Sequence, residues 1–176
     1  MKAFYFLCKM SKKADNQSFN IPIITTQLEL ETELNTYPTE NIFILVDENT
    51  TALLPNLIKT ISKLQNASII EIPSGEANKT IETCIKIWKT LSDNQVNKKG
   101  LLINLGGGVI TDLGGFVAST FKRGINFLNI PTTLLAMTDA AIGGKTGVDL
   151  NNFKNQIGII NSPVGINIKA KTPKEI

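Results

Sequence analysis

Four short runs of apolar residues punctuate the chain: IFILV at 42–46, SIIEIP at 68–73, LLINL at 101–105 and INFLNI at 125–130. Each is bounded by polar residues or glycine, as expected of strands buried on both faces. The segments between them repeat their apolar residues at helical spacing. Leu53, Leu54, Leu57, Ile58, Ile61 and Leu64 predict one helix with Pro55 near its start, and Ile81, Ile85, Trp88 and Leu91 predict a second. VITDLGGFVAST predicts a third helix after LLINL. TLLAMTDAA predicts a fourth after INFLNI, with Leu134, Leu135 and Met137 packing it onto the sheet. Strands alternating with helices at this spacing predict an α/β fold with an open, mostly parallel, doubly wound sheet and helices on both faces.

The ends of the chain read differently. KAFYFLCKM suits an edge strand and SKKADNQSFN a polar, turn-rich segment. PIITTQ begins strand-like, and Leu28, Leu30 and Leu34 then line a short helix that stops before Pro38. Residues 1–40 therefore lead into a domain at 41–160. Residues 161–176 are short, turn-rich and without room for a helix.

In such a sheet the carboxyl ends of the strands share one edge, and ligands bind there. Asp47 and Asn49 follow the first run, Ser74, Gly75 and Glu76 the second, residues 106–112 the third, and Thr132 and Thr133 the fourth. The third is the most informative. Gly106, Gly107 and Gly108 separate a strand from a helix start, where the first N–H groups lack intrahelical partners and favour an anion. A phosphate site and a plain tight turn both fit, since GGG is not the dinucleotide fingerprint GxGxxG. Other residues have structural readings too. Asp47, Asn49 and Ser74 suit helix N-caps, Glu76 and Asp112 suit the positive end of a helix, and Thr132–Thr133 suit a cap for the helix that follows.

The stretch GGGVITDLGGFVASTFKRGINFLNIPTTLLAMTDAAIGGKTGVDL, followed by FKNQIG, resembles the core of the 3-dehydroquinate synthase family of sugar-phosphate cyclases. Glycine motif, Asp, Arg-Gly, PTTLL, Asp, GGKTGV and KN occur in that order. The likeness is strong over about sixty residues and extends more weakly back to Asn41. It implies a Rossmann-like domain that binds NAD. Asp47 and Asn49 would meet the adenosine half. Ser74, Gly75, Glu76 and Lys79 would contact the nucleotide, with Lys79 neutralising negative charge. Gly107, Gly108 and Val109 would cradle the pyrophosphate, Asp112 would bond the nicotinamide ribose, Thr132 and Thr133 would line the site, and Lys154 would lie by the cofactor.

The same likeness implies a phosphorylated sugar substrate. Arg123 would reach its phosphate across a homodimer interface, Asp139 would hold its hydroxyls, and Lys145 and Asn155 would bind phosphate or nearby oxygens. The implied reaction turns 3-deoxy-D-arabino-heptulosonate 7-phosphate into 3-dehydroquinate and phosphate, on the shikimate route to aromatic amino acids. Three other readings remain: a sister cyclase, a relative of the metal-dependent alcohol dehydrogenases, or a non-catalytic nucleotide-binding module. The chain departs from the family pattern at Thr111, where glycine is usual, at Ala140–Ala141, where serines are commoner, and at Asp149, where asparagine is usual. NIKAKTPKEI reads as an altered linking segment. The family's all-helical domain, with the Glu and two His that hold a divalent metal (zinc or cobalt), is expected to be absent, so the chain is expected to be the NAD-binding half and inactive alone.

Composition narrows the chemistry further. The chain has 176 residues, 42% of them hydrophobic, and a formal charge of +3, with no basic stretch interleaved with aromatics. Nucleic acid is therefore not an expected partner. The opening apolar run is too short for a signal peptide or a membrane span. Cys8 and Cys84 read as reduced thiols of a cytoplasmic protein. Histidine is absent altogether, which excludes Ser-His and Cys-His pairs and the usual His/Cys zinc site from this chain.

Overall fold

A computed structural model describes residues 21–168 apart from 142 and 152. The expected edge strand in KAFYFLCKM, Cys8, Met10 and the tail from 169 lie outside the described residues. Strands β1 (Ile23–Ile24), β2 (Ile42–Asp47), β3 (Ser68–Ile72), β4 (Leu101–Gly106), β5 (Asn126–Pro131) and β8 (Gly165–Asn167) form one parallel sheet in the order β1-β8-β5-β4-β2-β3. All four apolar runs are strands of it. The sheet also takes β1 and β8 from the two flanking segments, so it reaches beyond 41–160 on both sides.

Helices cover both faces, as the alternation predicts. On one face Ile42, Ile44, Val46, Leu101, Ile103 and Leu105 pack against α1 (Gln27–Leu34) and α2 (Leu54–Thr60). On the other, Phe43, Leu45, Leu102 and Phe127 pack against α3 (Ile81–Asp93) and α4 (Gly108–Thr120). The strict alternation of faces along β2 follows from the two-residue period of a strand.

Local chemistry sets the helix ends. Thr26 and Glu29 form a capping box on α1: the Thr26 hydroxyl accepts from the Glu29 N–H at 3.2 Å, and the Glu29 carboxylate accepts from the Thr26 N–H at 3.1 Å. Thr80 caps α3. Three details depart from the sequence pattern. Leu30 and Leu34 are buried but Leu28 is exposed. The helix expected at 53–64 breaks at Ile61, which is extended (φ −115°, ψ 100°), so its last turn is a separate 3-10 turn. α3 buries Thr83, Cys84, Ile87 and Leu91, leaving Ile85 40% exposed; the small thiol of Cys84 serves as the apolar position that Ile85 was expected to fill.

α4 is the centre of the molecule. It is buried nearly all round because β6 (Lys145–Leu150) and β7 (Phe153–Ile160) form an antiparallel hairpin on its far side. Gly114 and Gly115 make both approaches possible. A Cβ on Gly114 would stand 1.9 Å from the Asn104 amide oxygen of β4, and one on Gly115 would stand 2.4 Å from the Thr146 methyl of β6. The hairpin follows directly on the glycine turn at Gly143–Gly144.

After β5 the chain enters a π-helical turn, Ala136–Ala140. Leu134 and Leu135 are 73% and 71% exposed, so the expected packing of that pair on the sheet is not found. Met137, partly buried, does pack against Ala141, Ile166 and Ile168. Among the described residues no helix is long and apolar enough to cross a membrane.

Candidate functional site

The strand order creates a crevice. From β2 the chain passes through α2, on one face, to β3 at the sheet's edge. From β4 it passes through α4, on the opposite face, to β5 in the other direction. The ends of β2 and β4, which are paired neighbours, are therefore the point where the winding reverses. Ligands of such sheets bind at that point.

The turn after β4 leaves the start of a helix open. Gly107 occupies the N-cap position of α4 and no side chain caps it. Thr111 donates its N–H to the Gly107 carbonyl, opening the helical ladder, and the N–H groups before it have no intrahelical acceptor. A Cβ on Gly107 would meet only the Thr133 side chain, at 3.4 Å. Thr132 sits beside this turn through its N–H to the Gly106 carbonyl at 3.0 Å. Thr133 is exposed and caps the following turn, its hydroxyl accepting from the Ala136 N–H.

Across the switch point, the Asp47 carboxylate is already engaged. It accepts from the Asn49 and Thr50 N–H groups at 3.0 and 2.9 Å and from the Thr50 hydroxyl at 2.9 Å. It closes its own turn rather than capping α2. Asn49 is exposed beside it. On the next strand, Ser74 bonds Glu48 through its hydroxyl at 3.2 Å. It does not cap a helix, since Gly75 begins the 3-10 turn that follows. Gly75 has φ 97° and open space where a side chain would be. Glu76 pairs with Lys154 of the hairpin at 3.2 Å, an exposed contact.

Behind the glycine turn, Lys79 is buried, and its ammonium bonds both Asp112 and Asn155 at 2.6 Å. This ties the loop after β3 to the second turn of α4 and to the hairpin, so Asp112 lies past the helix's first turn, where a carboxylate would meet the positive end. Burial pushes the Asp112 carboxyl above the usual carboxylate range; Lys79 opposes that, while Glu76 and Asp139 add to it. In this structure the charge of Lys79 faces Asp112, not the open crevice.

Asp112 and Asn155 also line a cavity of about 520 Å³, together with Asp139, Lys145, Thr146 and Gln156. So three of the four expected substrate residues, Asp139, Lys145 and Asn155, meet in one place, and Asp112 lies between them and the glycine turn. Arg123 does not join them. It occupies a left-handed turn (φ 67°) beyond the C-terminal end of α4, some ~20 Å along the helix from Gly107 at the usual rise per residue. Sequence reasoning missed Thr146, Gly147, Gln156 and Gly158 at the cavity wall. KTGVDL and FKNQIG mix polar residues and glycine without the apolar run or turn dipeptide that marks a hairpin, so the sequence carried no local signal for them. Among the described residues there is no group of three or more His, Cys, Asp or Glu able to hold a metal ion.

Comparison with known proteins bears on the family and the fold. Residues 69–175 match the family model described as 3-dehydroquinate synthase N-terminal. The chain is 44% identical over 136 residues to the 3-dehydroquinate synthase of Parabacteroides distasonis, covering 77% of this chain and 38% of that protein. It is 50% identical over 115 residues to that of Thermococcus kodakarensis, covering 65% and 33%. The chain thus spans well under half the length of the curated relatives it matches. Among solved structures, 2-deoxy-scyllo-inosose synthase complexed with carbaglucose-6-phosphate, NAD+ and Co2+ aligns with a TM-score of 0.71 at 22% identity, over 88% of this chain and 43% of that one. The 2-epi-5-epi-valiolone synthase of Streptomyces hygroscopicus with NAD+ and Zn2+ gives 0.71 at 24%, over 88% and 44%. At those identities the likeness is one of fold.

Proposed function

The chain belongs to the 3-dehydroquinate synthase family, matching its amino-terminal domain, and from that we propose that it is the NAD-binding half of a 3-dehydroquinate synthase. The whole enzyme would convert 3-deoxy-D-arabino-heptulosonate 7-phosphate to 3-dehydroquinate and phosphate. The observation that carries this reading is the uncapped start of α4 at the topological switch point, with the polar cavity beside it. A dinucleotide fits the residues present: Gly107, Gly108 and Val109 offer backbone to a pyrophosphate, the turns at Asp47–Asn49 and Ser74–Glu76 flank it, and Thr132, Thr133, Asp112 and Lys154 complete the rim, with Lys79 buried beneath Asp112. Bound NAD would supply a reversible hydride acceptor for a ring hydroxyl.

The rest is the work of the chain's own side chains. Lys145 supplies positive charge to the cavity for a phosphate or carboxylate. Asp139 and Asn155 offer acceptors, and Asn155 also a donor, to substrate hydroxyls. Holding one flexible sugar phosphate in a single pose is the main contribution. Arg123 lies outside the cavity of its own chain, so its expected role is in the cavity of a second copy, in a homodimer. A catalytic metal does not fit the described residues. Zinc or cobalt would need ligands from outside the described residues, and the 176-residue chain alone is expected to be inactive.

The test is a phosphate-release assay on the purified chain with the heptulosonate phosphate, NAD and either zinc or cobalt. No release above background is expected. Sustained release would overturn the assignment to a half-enzyme. Release only with a different sugar phosphate would point to a sister cyclase.

A further inference from the structure

Asp149 lies at the tip of the hairpin and does not line the cavity, yet the polar contacts of the site close through it. The β6–β7 register slips between Val148 and Leu150, which frees Asp149 from the ladder. Its N–H then donates to the Lys79 carbonyl at 2.9 Å. Its carboxylate accepts from the Asn155 N–H at 2.8 Å. Asn155 in turn accepts from the Lys79 ammonium through its side-chain oxygen. The result is a closed ring, Lys79 to Asp149 to Asn155 and back to Lys79, with Asp112 attached at the ammonium.

Asn155 has a left-handed backbone, φ 53°. Asparagine tolerates that region better than most residues, but it is uncommon within a strand and needs support from its surroundings. The bond to the Asp149 carboxylate is the contact that fixes the Asn155 N–H. The Lys79 ammonium in turn engages the Asn155 side-chain oxygen at 2.6 Å.

We propose that Asp149 is a positioning residue that sets Asn155 and, through it, the Lys79 ammonium at the junction of the glycine turn and the cavity. Its value to the cofactor rests on the proposed function; its hold on Lys79 and Asn155 does not. The role requires an oxygen acceptor at the end of the 149 side chain and does not require the negative charge. Asp149→Asn keeps that acceptor, and Asp149→Ala removes it. Asp149→Ser, with a shorter acceptor arm, replaces the alanine variant if that fails to fold.

The test uses the whole chain, labelled with nitrogen-15. Two signals are read: hydrogen exchange at the Asn155 amide, and the resonance of the Lys79 ammonium, which burial should make visible. In Asp149→Ala, exchange at Asn155 is expected to speed up by about tenfold, the scale of one lost hydrogen bond. The Lys79 signal should broaden or vanish. Asp149→Asn should restore both. An NAD titration runs alongside, with affinity expected to fall about fivefold or more in the alanine variant and to recover in the asparagine variant. Unchanged exchange and an unmoved Lys79 signal in Asp149→Ala would overturn the proposal. An asparagine variant as impaired as alanine would overturn it too. If exchange changes but NAD affinity does not, positioning for the cofactor is refuted. If the wild-type chain binds no NAD, the proposed function falls, and the two resonance signals still decide the role of Asp149.

Discussion

Replacing Lys79 with methionine removes the cation of the buried pair while keeping the bulk of the side chain. The side chains of Lys79 and Asp112 are 3% and 20% exposed. Breaking a fully buried pair costs about 3–5 kcal/mol, because the remaining charge is left without compensation. Asp112 keeps some water, so a loss of about 2–3 kcal/mol is expected near neutral pH. The pH dependence follows from the sign of the Asp112 shift. Its folded pKa lies above its ordinary value of 3.8. The folded state therefore holds that proton more tightly than the unfolded chain, and stability falls as pH rises from the ordinary value through the raised one. Without Lys79 the raised value climbs further, so the penalty of Lys79→Met should shrink as pH falls and Asp112 protonates. Adding Asp112→Asn should recover most of the loss at neutral pH. Urea unfolding of both single variants and the double, near neutrality and again at mildly acid pH, reads this directly. A penalty that does not change with pH, together with single effects that add within about 0.5 kcal/mol, would refute the reasoning.

Two further perturbations act away from that pair. Gly114→Ala drives a methyl group into the Asn104 amide and breaks its 2.9 Å bond to Asn129, so a loss of about 2–4 kcal/mol is expected by thermal or urea unfolding, combining overpacking with a lost buried hydrogen bond; adding Asn104→Ala should return part of it. Burial pushes the Cys84 thiol up to about 12, so mass-mapped alkylation at mildly alkaline pH should leave Cys84 unmodified until the chain is unfolded; rapid labelling of the folded chain at Cys84 would contradict its burial.

Much of this fold was legible because its strands are short, apolar and bounded by glycine and polar residues. β2, β3, β4 and β5 all fall where the runs predict. Elements that depend on tertiary partners were not. β6 and β7 carry polar and exposed residues on the outer side, and only α4, with Thr146 against Gly115, makes them a hairpin. The break at Ile61 and the exposure of Leu134 and Leu135 also have no local signal. Within the site, the positions following the strand ends were readable from topology alone. That Asp47 would spend its carboxylate on its own turn, and Lys79 its ammonium on Asp112 and Asn155, needed coordinates. The winding reversal between β2 and β4 needed the strand order, which a run of residues does not carry.

The central claim is that the open start of α4 at this reversal holds a dinucleotide's pyrophosphate. Calorimetric titration of NAD into the 176-residue chain, beside Gly107→Val, tests it most directly. The Gly107 backbone (φ −77°) accepts a side chain without strain, so the variant should fold with its cradle filled. Saturable binding by the wild-type chain and its loss in Gly107→Val is the expected result. No binding by the wild-type chain at millimolar NAD, or equal binding by both, would contradict it.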